Sequence, residues 1–195
     1  MKARENPFAA NRVESIRYAW RDGGLAPLLA RLRTLDYRAA IVGGHGTGKT
    51  TLLEDLEQPL VDLGFRVRRL RLDTEHPRFA RGTHATLAAE LDARDLICFD
   101  GAEQLDAWHW IQVRWATRRA GGVIITSHRH GRLPTLIECT TSAELLDSIV
   151  QRLTPTDPSG GRVHTPTAQE LFSRHRGNLR DALRELYDVY AATQG

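Results

Sequence analysis

The chain has 195 residues, of which 41% are hydrophobic and 26% charged, with 27 Lys plus Arg against 24 Asp plus Glu. This is room for one α/β domain with a small helical appendage and not for a second large domain. No apolar run approaches the roughly 20 residues of a membrane-spanning helix, and the start MKARENPFAANRVESIR has no signal-peptide core, so a cytoplasmic protein without membrane contact is expected.

In chain order, apolar residues at helical spacing predict helices over 11–20 and 25–35, the second on Leu25, Leu28, Leu29, Leu32 and Leu35. Arg38 to Val42 (RAAIV) reads as a buried strand running into glycines. A helix is predicted over 50–63, with Leu52, Leu53, Leu56 and Leu60 on its apolar side and Pro59 kinking or fraying its end. Phe65 to Leu72 is the next strand, and its Arg66, Arg68, Arg69 and Arg71 form the densest basic cluster. They read first as a solvated strand edge protected by charge. Nucleic acid is the second reading, which a net charge of +3 and a pI near 9.2 permit without arguing for it.

Residues 73–81 form a polar loop, and Thr83 to Ala93 a helix capped by Thr83. Leu96 to Phe99 (LICF) is a third buried strand, ending in Asp100. A long helix is predicted over 103–119, with Trp108, Ile111 and Trp115 on one face in the core. Trp110 points the other way, either onto Arg114 or towards a partner. Val123 to Thr126 and Leu136 to Cys139 complete five strands. Three helices follow, over 142–153, 167–175 and 178–192, interrupted by the loop TPTDPSGG from Thr154 to Gly161. Cys98 and Cys139 lie in strand-like runs without metal-type spacing and read as reduced core thiols. Strands alternating with helices imply an α/β fold with a parallel five-stranded sheet covered on both faces, a core over 1–140 and a helical subdomain over 141–195.

The chemistry concentrates in GGHGTGKT, Gly43 to Thr50, two glycines at fixed spacing followed by Lys and Thr. A chance match arises about once in a thousand chains of this composition, and here a strand precedes it and a helix follows, as a phosphate-binding loop requires. Gly43, Gly44, Gly46 and Gly48 let successive N–H groups turn inward at a helix N-terminus, while His45 and Thr47 line the turn and Thr51 follows it. Only two of the 27 basic residues are lysines, Lys2 and Lys49, so an arginine-using chain keeps an ammonium where a point charge would bridge β- and γ-phosphates. The Thr50 hydroxyl is expected to ligate Mg²⁺. Asp100, at the end of a buried strand, is expected to hold the same ion through water. Glu103 is the candidate for polarising the attacking water, and it also reads as a first-turn glutamate favoured by the helix dipole. ATP with Mg²⁺ is the expected ligand, since no guanine-reading NKxD sequence is present.

The order of phosphate loop, strand-Asp, a strand ending in ITSHR (Ile125 to Arg129) and a helical tail containing GNLRDAL (Gly177 to Leu183) resembles the AAA+ ATPases over roughly residues 6–190. GGHGTGKT is close to that family's GPPGTGKT, with Gly44 and His45 in place of the prolines. The resemblance implies a three-layer sandwich with strand order 5-1-4-3-2 and a C-terminal helical lid. It also implies that His128, with neighbours Ser127 and Thr126, stands where the family's sensor 1 contacts the γ-phosphate or water. Arg180 matches the sensor 2 arginine of the lid. The competing reading makes Asn178 a helix cap with Asp181 and leaves Arg180 in solvent. The family has Asp-Glu at the end of the third strand; here Gly101 follows Asp100. No residue matches the arginine finger of a neighbouring subunit, although Arg129 and Arg132 lie near its place.

Three functions compete: an AAA+-like ATP hydrolase coupling nucleotide state to a protein partner or to self-assembly, a small-molecule kinase whose acceptor site uses residues 73–81, and a slow nucleotide-dependent switch. The displaced glutamate favours the last.

Overall fold

A computed structural model describes residues 6–16, 18, 24–76, 79–80, 83–154 and 166–193. The predicted loop at 154–161 lies outside them except for Thr154, as do residues 77, 78 and 81 of the polar loop. The elements are α1 (Ala10–Glu14), α2 (Leu25–Thr34), β1 (Arg38–Gly43), α3 (Lys49–Asp55), α4 (Glu57–Asp62), β2 (Arg66–Arg71), α5 (Thr83–Glu90), β3 (Asp95–Asp100), α6 (Ala107–Ala116), β4 (Gly122–Ser127), β5 (Thr135–Cys139), α7 (Ala143–Leu153), α8 (Ala168–Arg174) and α9 (Leu179–Thr193). By contacts the chain forms two compact units, one of Trp20–Gly43 with Lys49–Cys139, the other of Met1–Ala19, Gly44–Gly48 and Thr140–Gly195.

The first unit is an α/β layer structure on a five-stranded, all-parallel sheet in the order β2-β3-β4-β1-β5. Parallel strands must be covered on both faces, and β1, β3 and β4 are accordingly apolar along their length. Ala40, Val42, Ile97, Phe99, Val123 and Ile125 pack with Leu87 and Leu91 of the α5 segment and Val113 and Ala116 of α6. The alternate residues Ala39, Ile41, Leu96, Cys98 and Ile124 are equally buried, and α3 packs over β1, β3 and β4. Both cysteines are buried free thiols, and burial pushes the Cys98 thiol up to about 12, with Glu57 adding to the effect and Arg69 opposing it. The edge strand β2 carries its arginines as expected, but three of the four are paired. Asp95, fully buried, accepts from Arg66 Nη2 at 3.0 Å, Arg68 Nε at 3.1 Å and the Asp92 N–H at 2.8 Å. Arg69 pairs with Glu57.

Four local expectations change. The helix predicted over 50–63 is two helices, because Pro59 has no N–H and its ring crowds the carbonyl of Asp55, where α3 stops. Thr83 is not a cap: it is the first residue of α5 and its hydroxyl donates to the Ala80 carbonyl at 2.9 Å. The helix predicted over 103–119 begins only at Ala107, capped by Asp106, whose carboxylate accepts from the His109 N–H at 2.9 Å; Glu103 sits on a separate 3₁₀ turn, Ala102–Gln104. The buried face of α6 is also reversed. Val113 and Ala116 enter the core and Trp110 packs against it, whereas Trp108, Ile111 and Trp115 are 66%, 56% and 56% exposed. Trp110 lies under Arg132, 5.2 Å from its ring centroid, and not under Arg114.

The second unit packs α7, α8 and α9 with Phe8 around Leu146, Leu171, Leu183 and Leu186. Ser142 caps α7, and Thr167 with Glu170 forms a capping box on α8. Among the described residues no helix is long and apolar enough to cross a membrane.

Candidate functional site

Strand β1 ends at Gly43 and α3 begins at Lys49, so the glycine run links a buried strand to a helix N-terminus. In the sheet unit Lys49 is 8% exposed, an unusual burial for an ammonium, and its Nζ donates back to the Gly43 carbonyl at 2.9 Å. The ammonium is therefore held against the end of β1 and does not point into solvent. The next residue, Thr50, reaches the end of β3: its hydroxyl donates to Asp100 at 3.1 Å to Oδ2 and 3.3 Å to Oδ1.

Asp100 is held from the other side by Thr126 at the end of β4, whose hydroxyl donates to Oδ1 at 2.7 Å and accepts from the Gly101 N–H at 2.9 Å. The fully buried Thr126 hydroxyl thus orients the carboxylate towards α3. In the sequence Thr126 stands out only as a neighbour of His128; its signal is a hydroxyl near the end of an otherwise apolar buried strand, GVIITS.

A second cluster lies where β3 and β4 end. His128 Nε2 is 3.3 Å from Glu103 Oε1, so the structure brings together the two residues expected to position a nucleophile. Glu103 Oε2 is buried without a hydrogen-bond partner among the described residues, as is Arg132 Nη1. Burial holds the Arg132 guanidinium below its ordinary value, opposed by Glu103 and Asp106, and its Nη2 donates to the Leu105 carbonyl. An internally bonded Arg132 does not have the free reach of an arginine finger; Arg129 is exposed.

Gly101 explains the missing glutamate. Its φ is +86°, and a Cβ there would meet the Leu72 carbonyl oxygen at 2.0 Å, so no side chain fits directly after Asp100.

In the helical unit, His45 is exposed and the Thr47 hydroxyl donates to the Gly44 carbonyl at 3.0 Å. Gly46 has a φ of +68°, and its Cα hydrogen faces Asn178: an added Cβ would sit 1.9 Å from Asn178 Oδ1. That same oxygen accepts from the N–H groups of Arg180 and Asp181 at 3.1 and 3.3 Å, and Asn178 Nδ2 donates to Asp181 at 2.5 Å. Asn178 therefore caps α9, and the Arg180 side chain is exposed.

Mg²⁺ is a hard cation that takes oxygen ligands and leaves most of its coordination to phosphates and water. A hydroxyl and a carboxylate already 3.1 Å apart at a helix N-terminus fit that requirement. No cluster of three or more His, Cys, Asp or Glu side chains that could hold a metal occurs among the described residues, and an ion carried in on a polyphosphate does not need one.

No protein-family model matches the chain, and no curated protein matches it. The sheet itself defines the class: parallel α/β, five strands in the order β2-β3-β4-β1-β5, consistent with a P-loop-like Rossmannoid fold.

Proposed function

We propose that the chain binds ATP with Mg²⁺ and hydrolyses it, in the manner of the AAA+ proteins its motifs resemble. The observation that carries this reading is the convergence of Lys49, Thr50 and Asp100: a buried ammonium hydrogen-bonded to the end of β1, next in sequence to a hydroxyl in hydrogen-bond contact with a strand-end carboxylate. Lys49 would donate to β- and γ-phosphate oxygens. Thr50 and Asp100 would hold Mg²⁺, which would supply further neutralisation of phosphate charge.

Hydrolysis requires a water oxygen to bond to the γ-phosphorus while the bond from that phosphorus to the β–γ bridging oxygen breaks and ADP leaves. Glu103 Oε2, buried and unpaired among the described residues, is the acceptor for the proton that water gives up; His128, on the other carboxylate oxygen, orients it. Coupling of the bound state to a partner or to self-assembly belongs to the same reading.

A slower, switch-like behaviour is the second reading, and Gly101 favours it: the water-activating carboxylate is two residues beyond the AAA+ position and already engaged with His128. The test is ATP affinity and phosphate release for the wild type, Lys49→Ala and Glu103→Gln. Lys49→Ala is expected to weaken ATP at least about 100-fold, and Glu103→Gln to keep affinity while lowering turnover about 100-fold. Unchanged affinity in Lys49→Ala would overturn the assignment. Wild-type turnover below about 10⁻³ s⁻¹ with tight binding would select the switch.

A further inference from the structure

The outer face of α6 carries three of the five exposed large hydrophobic side chains among the described residues, and neither the fold nor the proposed chemistry uses them. Trp108, Ile111 and Trp115 stand one or two turns apart on the solvent side, 66%, 56% and 56% exposed.

The charge on this face is one-sided. From Ala107 to Arg119 the chain carries Arg114, Arg118 and Arg119 and no carboxylate, although acids and bases are nearly balanced over the whole molecule, 24 against 27. On β2 three of the four arginines are neutralised, Arg66 and Arg68 by Asp95 and Arg69 by Glu57. Arg114 on α6, and Arg118 and Arg119 just past its end, meet no carboxylate among the described residues. Arg118 instead lies over the Trp115 ring at 4.1 Å and donates to the Trp115 carbonyl at 3.1 Å.

We propose that this face docks an acidic amphipathic helix of a partner protein. Positions 108, 111 and 115 follow the spacing by which one helix reads another. Unpaired arginines beside the stripe call for Asp or Glu flanking the partner's apolar ridge. A nucleic-acid strand fits less well: the Trp115 face that a base would stack on is covered by Arg118, and Ile111 between the indoles offers no π-surface. A second copy of this chain also fits less well. The exposed parts of the three side chains amount to roughly 400 Å², about half of one side of a standard stable interface.

The probe is a fluorescein-labelled helical peptide of roughly 16 residues, with Leu at i, i+3, i+4 and i+7 flanked by Glu, titrated with the full chain and read by anisotropy. Saturable binding is expected, weakened about tenfold or more by Trp115→Ala and by Arg114→Glu combined with Arg119→Glu, and weakened by added salt. The same peptide with Lys in place of Glu is expected to bind at least about tenfold more weakly. Because the substituted side chains are exposed, each variant is expected to keep the wild-type circular dichroism spectrum; Ile111→Glu, which leaves the Trp115–Arg118 stack in place, is the second probe of the stripe. The proposal is overturned if the lysine peptide binds equally well or if the substitutions leave peptide affinity unchanged. It is equally overturned if oligo-dT or phosphatidylglycerol-containing vesicles bind this face and the acidic peptide does not, or if Trp115→Ala abolishes a concentration-dependent dimer.

Discussion

Gly101 follows Asp100 with a φ of +86° and a Cβ position 2.0 Å from the Leu72 carbonyl oxygen, and this single close approach shapes the candidate site. Leu72 donates its N–H to the Asp100 carbonyl at 2.9 Å, so the end of β2 is pinned against the end of β3 and cannot retreat. The sequence made the departure from Asp-Glu visible but not its cause, because the obstructing atom belongs to a segment some thirty positions earlier. Gly101→Ala is expected to cost about 3 kcal/mol or more, the left-handed backbone and the collision adding together. Gly101→Glu is expected to do no better and not to accelerate phosphate release. Denaturant unfolding checks the first expectation; an alanine variant as stable as the wild type would show that β2 yields. Lys49, Thr50 and Asp100, by contrast, stood out by their spacing along the chain, and the structure brings Thr50 and Asp100 into hydrogen-bond contact. Thr126 did not stand out, since its importance depends on which strand lies beside β3.

Single elements were legible only in part. Pro59 signalled a disturbed helix end, but it divides the helix in two, where its ring meets the carbonyl of the residue four positions back. Helix α6 offered two choices, for it is apolar on both sides. Bulk suggested that the tryptophans of one stripe go inside, yet α6 buries Val113 and Ala116 against strand residues such as Phe99 and Ile125, and small side chains allow a helix to lie close to its sheet. The arginines of β2 show the same limit, because a charged strand looks solvent-facing until its partners are known. Asp95 accepts three hydrogen bonds at the buried start of β3 and ties β2 to the sheet through Arg66 and Arg68. Asp95→Asn is expected to destabilise the protein by about 2–3 kcal/mol, measured as a lowered denaturation midpoint. The loss should persist in high salt, since a buried carboxylate is screened far less than an exposed pair. A midpoint unmoved by the substitution would mean that the ladder of β2 on β3 holds the edge strand without its charges.

For the whole molecule, parallel strands and two covered faces followed from the alternation of apolar runs with helical spacing, whereas strand order came from the family resemblance, since strand sequence alone leaves several orders open. Composition has a further consequence at this scale. The chain has 25 arginines and only two lysines, so its cations stay charged well into alkaline solution and few groups other than tyrosines and cysteines titrate between pH 9 and 12. Cys98 is then a reporter of global stability. Burial raises its thiol from an ordinary 9.0 to about 12, so the folded state keeps the proton that the unfolded state releases. The contribution of the neutral thiol is complete below pH 9 and fades as pH rises towards 12, by about 1.4 kcal/mol for each pH unit. Cys98→Ala removes that titration at the cost of a small cavity. The variant is therefore expected to be the less stable protein at pH 8, with the gap narrowing by about 2 kcal/mol at pH 10.5 in denaturant unfolding. A gap that stays constant between the two would mean that the interior of the sheet admits a thiolate.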